Sequence, residues 1–341
     1  MHMADALLSP AVGAVMWTAS AVMTAYSARK VQSQLDNRKI PLMGVMGAFV
    51  FAAQMINFTI PGTGSSGHLG GGLLLAILLG PHAAFLTMAS VLTVQALFFA
   101  DGGLLALGCN IFNLGFFPCF VAYPLIYKNI VRNKPDSKRL AIASVLGALF
   151  ALQLGSLGVV LQTYFSGISL LPITSFLLMM QPIHLAIGLV EGVATAGVVS
   201  FLWNARPEII ESAVAEKPLA PIPIRNILLA MIIASVFIGG FFSWFASEHP
   251  DGLEWSIEKV TGGTELDRPG ESMHDRLAHI QEKTALLPDY DFPANEGSLP
   301  AAENRRGGRT GTTLAGLSGG FLVLVCSILI GFLLKKRSRT A

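Results

Sequence analysis

Apolar residues in this chain occur in long runs separated by short polar stretches, a pattern typical of helices that cross a lipid bilayer. About 20 apolar residues suffice for one crossing. Nine segments can be distinguished, at residues 8–28, 41–58, 69–79, 83–100, 104–127, 140–163, 173–203, 225–247 and 314–334. Only Gly80-Pro81-His82 separates the third from the fourth, and we interpret it as a tight turn because proline interrupts helices. The pattern predicts an all-α polytopic membrane protein with about nine spans.

Basic residues indicate how these spans are oriented. Of the 23 Lys and Arg residues, 16 fall on one side of the predicted bundle and the other 7 lie in one long loop, 248–313. Short cytoplasmic loops are enriched in Lys and Arg, whereas long loops escape this rule. The sequence therefore predicts an external N-terminus and an internal C-terminus. If Gly80-Pro81-His82 were only a kink, the basic loops after it would swap sides, so the turn is favoured.

Composition agrees with a membrane location. Hydrophobic residues make up 52% of the chain and charged residues 13%, with a mean hydropathy of +0.60. Soluble domains carry about 25% charged residues. The first residues have neither the basic region nor the small-residue cleavage site of a signal peptide, so we expect the N-terminus to be retained.

The first two residues carry a possible metal-binding group. The α-amine of Met1, the deprotonated amide nitrogen of His2 and the Nδ1 atom of its ring can close two fused chelate rings on one ion. A fourth nitrogen would complete a planar square, which suits Ni²⁺ or Cu²⁺, with Co²⁺ possible, whereas Zn²⁺ prefers a tetrahedron. The predicted topology places the glycine-rich loop 61–68 on the same face, and its last residue, His68, is the obvious fourth donor. Asp5 is the only carboxylate nearby.

A simpler interpretation is that these histidines are solvated, because chain ends fray and loop histidines usually face water. Taken singly, each histidine favours that interpretation. Together they favour a metal site, because the topology places both on one face without reference to them. His82 is predicted on the cytoplasmic side, as a helix-terminal residue. Three histidines of the long loop could feed metal inward, although solvation is the simpler explanation: His249, His274 and His279.

Polar residues inside the spans are candidates for supporting roles. His184 and Glu191 are seven residues apart and share a helix face, where they could support the metal ligands or lie on a release path. Asn110 and Asn113 could orient the ligands. Interhelical hydrogen bonding is the simpler explanation for all four. Small residues on one face of the first span could dock a partner's helices, although internal packing explains them equally well: Ala14, Thr18, Ala21 and Ala25.

The opening stretch MHMADALLSP resembles the MHIPDGFLSP start of the metal-capturing membrane components of cobalt and nickel energy-coupling-factor importers, the CbiM/NikM family. Further similar stretches, within residues 1 to about 203, are Gly64-Ser65-Ser66-Gly67-His68-Leu69 with Gly70 to Gly72, Ile77-Leu78-Leu79-Gly80-Pro81, Gly108-Cys109-Asn110-Ile111-Phe112-Asn113, and His184-Leu185-Ala186-Ile187-Gly188 with Glu191-Gly192. The stretch His249-Pro250-Asp251-Gly252-Leu253-Glu254 resembles the PDGLE signature of the small partner subunit of the same systems, which has two spans and an outer loop.

The resemblance implies a fusion of two subunits. The implied parts are a metal-capturing bundle at 1–203, a Pro-containing cytoplasmic linker at 204–224 and a PDGLE-type segment at 225–341. It also implies a metal held by four nitrogens, from the Met1 amine, the amide and ring of His2, and the ring of His68. The family's usual Pro-Asp-Gly is Ala4-Asp5-Ala6 here, which leaves the shape of this turn open but not the donor atoms.

The sequence contains no G-x-x-x-x-G-K-[ST] phosphate loop, so this chain cannot bind ATP by that mechanism. The resemblance implies a transmembrane coupling subunit and two cytoplasmic ATPase subunits, in a bacterial or archaeal inner membrane, with no nucleic-acid partner. A stand-alone secondary carrier is the alternative, although Glu191 is the only carboxylate well inside a span. A membrane metalloenzyme is less favoured, because a square of four nitrogens leaves no open equatorial position, and we expect no enzymatic activity. Ni²⁺ and Co²⁺ both fit the donors, with planar geometry favouring nickel.

Overall fold

The computed structural model describes residues 2–34, 38–132, 135–169, 171–215, 217, 223–264, 266, 272–293 and 309–338. Its helices are α1 (Pro10–Gln34), α2 (Lys39–Gln54), α3 (Gly72–Leu79), α4 (Pro81–Phe99), α5 (Leu107–Ile111), α6 (Asn129–Val131), α7 (Ser137–Ser166), α8 (Ile173–Ala205), α9 (Pro207–Val214), α10 (Arg225–Gly240), α11 (Gly252–Thr261), α12 (Ser272–Thr284) and α13 (Arg309–Ser338). A π-helical stretch, Phe112–Lys128, joins α5 to α6. Three short 3₁₀ turns are Asp5–Leu7, Phe242–Phe245 and Pro288–Tyr290. Strands β1 (Phe58–Ile60) and β2 (Ser65–Gly67) pair antiparallel, with Thr59 opposite Ser66.

Each of the nine apolar segments predicted from the sequence contains a helix in the described part of the chain. Six of these helices are long and apolar enough to cross a membrane, which makes the chain a multi-pass membrane protein. Helices α2 and α10 have 16 residues each, and α3 has 8. Eight residues rise about 12 Å along a helix, against a hydrocarbon core of about 30 Å, so α3 is too short to cross alone.

The predicted turn at Gly80 is confirmed. Gly80 has a φ of +76°, which only glycine adopts readily, and Pro81 is the first residue of α4. Nε2 of Gln54 donates to the carbonyl of Gly70, just before α3, at 2.8 Å. Oε1 of Gln54 accepts from Nε2 of Gln95, near the end of α4, at 2.9 Å. The start of α3 therefore lies beside the end of α4, and the two helices form an antiparallel hairpin.

Helices approach one another closely where one of them presents a glycine, as expected for packing in lipid. A Cβ atom placed on Gly108 of α5 would lie 2.5 Å from the backbone nitrogen of Trp17 in α1. The hydroxyl of Ser20 donates to the carbonyl of Gly108 at 2.6 Å. In the C-terminal part of the chain, α10 and α13 pack backbone to backbone at Gly239 and Gly316.

The C-terminal helices pack against the rest of the bundle. A Cβ on Gly44 of α2 would lie 2.7 Å from the side chain of Ile328 in α13. The predicted linker 204–224 contains α9, in which Ile209 and Ile210 are buried and the carbonyl of Ala213 accepts a hydrogen bond from the Tyr123 hydroxyl. Two of the linker prolines, Pro218 and Pro221, lie outside the described residues.

We predict that Gly108→Ala lowers the unfolding temperature of the purified chain in detergent, because the added methyl overlaps the backbone of α1. Overpacking of this kind costs roughly 1–3 kcal/mol. The matched control is Gly197→Ala in α8, where nothing lies within 4 Å of the added carbon. This control should leave the unfolding temperature unchanged or raise it slightly, because alanine favours helix over glycine. Equal effects of the two substitutions would contradict the packing between α1 and α5.

Candidate metal centre

The N-terminal residues are fixed in the bundle. The backbone nitrogen of Met3 donates to Oδ1 of Asn110 at 2.8 Å, and Nδ2 of Asn110 donates to the Met3 carbonyl at 3.3 Å. The same carbonyl accepts from the backbone nitrogen of Gly103 at 2.9 Å, and the Met3 side chain is fully buried. Oδ1 of Asp5 accepts from the backbone nitrogen of Ala106 at 2.9 Å. The segment after His2 therefore has a fixed position next to the start of α5.

The loop that carries His68 is held by buried polar groups. Glu191 of α8 accepts from the backbone nitrogens of Gly70 at 2.9 Å and Gly71 at 3.0 Å. The carbonyl of Gly70 accepts a hydrogen bond from Nε2 of Gln54. These bonds fix both polar groups of Gly70, two residues after His68, so the position of the loop is set from inside the bundle.

The structure brings His2 and His68 together, as the sequence predicts. Their rings stack with centroids 5.0 Å apart and an interplanar angle of 19°. Nδ1 of His68 lies 3.1 Å from the carbonyl of Leu69. A carbonyl only accepts, so Nδ1 carries the proton and the lone pair of this ring is on Nε2. Met1 lies outside the described residues, so its amine stays a prediction.

Burial sets the charge of both rings. It lowers the pKa of His2 to about 3 and that of His68 to about 4, and the carboxylate of Asp251, which acts in the opposite direction at both rings, is outweighed. Both imidazoles are therefore neutral at pH 7, which is the form that binds metals.

Asp101 is a site residue that the sequence analysis missed. It follows α4, and its Oδ1 lies 3.3 Å from Nδ1 of His2. Its Oδ2 accepts from the hydroxyl of Tyr290 at 2.5 Å. Nε2 of His2 is buried and has no hydrogen-bond partner in the described part of the chain. In this structure the nitrogen that the chelate requires, Nδ1, thus faces Asp101.

The PDGLE stretch also reaches this site, which the sequence analysis did not anticipate. The carbonyl of Pro250 accepts from the backbone nitrogen of Ser66 at 2.8 Å, and the carbonyl of His249 accepts from its hydroxyl at 2.7 Å. Asp251 caps α11 and lines a small cavity together with His68. The next residue, Gly252, packs closely on α8, because a Cβ there would lie 2.9 Å from Cδ1 of Ile187 and 3.1 Å from Cε1 of the His184 ring.

Other predicted residues lie near the rings without facing them directly. Asn113 exchanges two hydrogen bonds with Gln162, at 2.8 and 3.0 Å. His184 lines the same cavity as His68, and its Nδ1 donates to the carbonyl of Met180 at 2.8 Å. Its Nε2 is buried without a hydrogen-bond partner among the residues described.

The remaining histidines are spread over the molecule. Nε2 of His274 donates to the carbonyl of Leu8 at 2.9 Å, which holds α12 against the N-terminal segment. His279 is 65% exposed. His82 lies at the opposite end of the bundle, 3.5 Å from the hydroxyl of Ser27.

The small residues predicted as a docking face are exposed on α1, on the side away from α5: Ala14, Thr18, Ala21 and Ala25. The Thr18 hydroxyl donates to the carbonyl of Ala14 within the helix, so this face presents few polar groups.

Within the described ranges, no three His, Cys, Asp or Glu residues are arranged to hold a metal ion. The two neutral rings of His2 and His68 are nevertheless nitrogen donors of the type that Ni²⁺ and Co²⁺ accept.

Comparison with known proteins identifies the family. The family model for the cobalt uptake substrate-specific transmembrane region, CbiM, matches residues 2–209, and the model for the PDGLE domain matches residues 225–336. A fused nickel transport protein, NikMN, of Archaeoglobus fulgidus is 35% identical to this chain, with each chain covered completely. The cobalt transport protein CbiM of Sorangium cellulosum is 30% identical over 62% of this chain and 95% of its own length.

The crystal structure of a truncated transition metal transporter superposes with a TM-score of 0.54 at 32% identity, covering 60% of this chain and 99% of the other. The relatives are named as metal transport proteins, so this chain is a transporter rather than an enzyme. The chain belongs to the CbiM family of nickel and cobalt transport proteins, and a PDGLE domain follows its family region.

Proposed function

We propose that this chain is the ion-capturing membrane subunit of an ATP-driven energy-coupling-factor importer for Ni²⁺, Co²⁺ or both. The observation that carries the proposal is the stacking of two buried, neutral imidazoles, His2 and His68, at 5.0 Å. In the proposed site, the ion lies in a plane of four nitrogens, from the Met1 amine, the amide and Nδ1 of His2, and Nε2 of His68.

The surrounding charges favour a divalent ion in this site. Deprotonation of the His2 amide leaves one net positive charge on the bound ion, and a buried charge is tolerated only when it is paired. Two carboxylates are close enough to pair with it, Asp101 beside the His2 ring and Asp251 on the cavity that His68 lines.

The proposed orientation places this site at the outer face. The chain segments assigned to the outside by the distribution of basic residues meet at one end of the bundle: residues 2–8, the β1–β2 hairpin, Asp101 and the 249–252 stretch. The proposal has nine crossings with an external N-terminus and an internal C-terminus, in which α3 crosses together with the non-helical residues that precede it, because the helix alone is too short. The division into a bundle at 1–203, a linker at 204–224 and a PDGLE-type segment at 225–341 belongs to the same proposal.

In the proposed complex, two cytoplasmic ATPases and a transmembrane coupling subunit supply the energy. The exposed face of α1 that carries Ala14, Thr18, Ala21 and Ala25 is the surface on which the coupling subunit would dock, because small residues let helices approach closely in lipid. A stand-alone secondary carrier is the alternative.

We predict that His2→Ala and His68→Ala each abolish Ni²⁺ and Co²⁺ binding, measured by calorimetric titration of the purified full-length chain with a C-terminal tag. Each substitution removes at least one donor nitrogen from a site that has no spare ligand. The matched control is His279→Ala, at an exposed ring, which should bind as the unmodified chain does.

We predict that one extra residue at the N-terminus abolishes Ni²⁺ and Co²⁺ binding, as the loss of either imidazole ring does. The extension converts the Met1 amine into an amide. The N-terminus of each preparation is verified by mass spectrometry. Bound Ni²⁺ should be diamagnetic, as planar four-coordinate Ni²⁺ is. Unchanged affinity in the extended chain would refute the terminal chelate.

Glu191→Gln should weaken Ni²⁺ binding by roughly 10- to 100-fold, as the loss of groups that orient metal ligands commonly does. The carboxylate accepts two backbone N–H groups, and a carboxamide has only one accepting oxygen, so its NH₂ group would face one of these donors. Glu282→Gln, at a side chain that is 70% exposed, is the control for the same chemical change. Equal affinities of the two variants would show that Glu191 does not position His68.

Uptake of radioactive Ni²⁺ or Co²⁺ into cells that express this chain should require co-expression of the coupling subunit and both ATPases. A catalytically inactive ATPase pair is the control. Uptake driven by the chain alone would favour the secondary carrier.

A further inference from the structure

The outer part of the PDGLE segment packs on the short loop that carries Asp101. Nε2 of Gln281 in α12 donates to the carbonyls of Ala96 at 2.9 Å and Gly102 at 2.7 Å, on either side of Asp101. The backbone nitrogen of Leu287 donates to the carbonyl of Phe98 at 3.2 Å. Residues from the C-terminal third of the chain thus donate hydrogen bonds to backbone carbonyls at the end of α4 and in the loop after it.

Tyr290 lies at the centre of this contact. Its ring stacks on Phe99 with centroids 5.0 Å apart, and its hydroxyl donates to Oδ2 of Asp101 at 2.5 Å. Asp289 and Tyr290 both adopt left-handed backbone conformations, with φ of +52° and +62°. Such conformations are unfavourable for residues other than glycine and persist where the surrounding contacts hold them in place. Here the strained backbone delivers the Tyr290 hydroxyl to Asp101.

We propose that Tyr290 is a positioning residue for metal capture: it holds Asp101 as the hydrogen-bond acceptor of the His2 ring, and so lets the PDGLE segment set the orientation of a metal ligand. The inference rests on the proposed function of His2. The ring of Tyr290 packs against Phe51 and Phe99, and in this proposal its hydroxyl acts through Asp101. The three groups form one chain, from the Tyr290 hydroxyl through the Asp101 carboxylate to Nδ1 of His2.

This chain of contacts assigns two orientations to the His2 ring. Without metal, Nδ1 of His2 lies 3.3 Å from Oδ1 of Asp101, and the proposal assigns the proton of this ring to Nδ1. The chelate needs the lone pair of Nδ1. A half-turn of the ring about its Cβ–Cγ bond turns Nδ1 away from Asp101 and puts Nε2 in the place of Cε1, next to the position that Nδ1 leaves. In the proposed metal-bound state the Asp101 carboxylate shifts to accept from Nε2–H while Nδ1 binds the ion, the arrangement in which metal-bound histidines are usually held.

The test uses the full-length chain with a native N-terminus and compares the Ni²⁺ affinity of the unmodified chain with that of four variants. Tyr290→Phe keeps the stacked ring and removes only the hydroxyl, and we expect it to weaken binding by roughly 10- to 100-fold. Tyr164→Phe, at a tyrosine that is 55% exposed, should have no effect. Because Tyr290 acts through Asp101, Tyr290→Phe should cause no further loss when introduced into Asp101→Ala. Additive losses, or an unchanged affinity of Tyr290→Phe, would overturn the proposal.

A second measurement tests the ring orientation directly. Nitrogen-15 NMR of histidine-labelled protein distinguishes the two neutral tautomers, and the His2 signal is assigned by its absence in His2→Ala. We expect protonation at Nδ1 in the metal-free chain and at Nε2 in the Ni²⁺ complex. Protonation at Nε2 in both states would overturn the half-turn. If His2→Ala binds Ni²⁺ normally, the proposed site itself fails, whereas loss in His2→Ala with normal binding in Tyr290→Phe refutes only the positioning role.

Discussion

The reciprocal hydrogen bonds between Asn110 and the backbone of Met3 are the constraint on which the candidate site depends. Ordering one residue at a chain end costs about 1–2 kcal/mol in backbone entropy, and terminal residues usually fray. Here burial of the Met3 side chain and the bond from Ala106 to Asp5 offset that cost. Because the backbone next to His2 is fixed, the position of its ring depends mainly on rotation of its own side chain. Two residues at the end of a chain can therefore form part of a defined site.

The same burial that orders the N-terminal segment determines its chemistry. Removing His2 and His68 from water disfavours their protonated forms, so both rings keep the lone pair that a metal needs. Burial also makes unpaired polar atoms costly, and hydrogen bonds link several of the buried amide side chains near the site. Gln95 donates to Gln54, and Gln54 donates to Gly70.

The fold was largely predictable because apolar runs and their breakers are local signals. Gly80 and Pro81 identify the hairpin between α3 and α4 without knowledge of what packs around it. The segment predicted at 69–79 is already short, and only the start of its helix, at Gly72, could not be read from an apolar run that merges with the loop before it. His2 and His68 could be paired from topology, since both belong to segments on one face, and a family resemblance pointed to the same atoms.

Asp101 and Tyr290 could not be found in this way. They are separated by 189 residues, and each is an ordinary residue in its own neighbourhood. An acidic residue after a helix and a tyrosine in a polar loop carry no pattern that points to a metal. Only the packing of α12 and the Pro288–Tyr290 turn on the end of α4 brings them together. The role of Asp251 at the His68 cavity depends in the same way on a long-range contact between the PDGLE stretch and β2.

The hairpin that precedes His68 is held from two sides. On the bundle side, Glu191 of α8 accepts from the backbone nitrogens of Gly70 and Gly71. On the outer side, the PDGLE stretch offers backbone carbonyls to β2, and the indole of Trp255 donates to the turn before it at 3.0 Å. Neutral hydrogen bonds of this kind contribute about 0.5–1.5 kcal/mol each, so several together are needed to fix a loop. The position of the loop therefore depends on the CbiM region, which contains α8, and on the PDGLE segment.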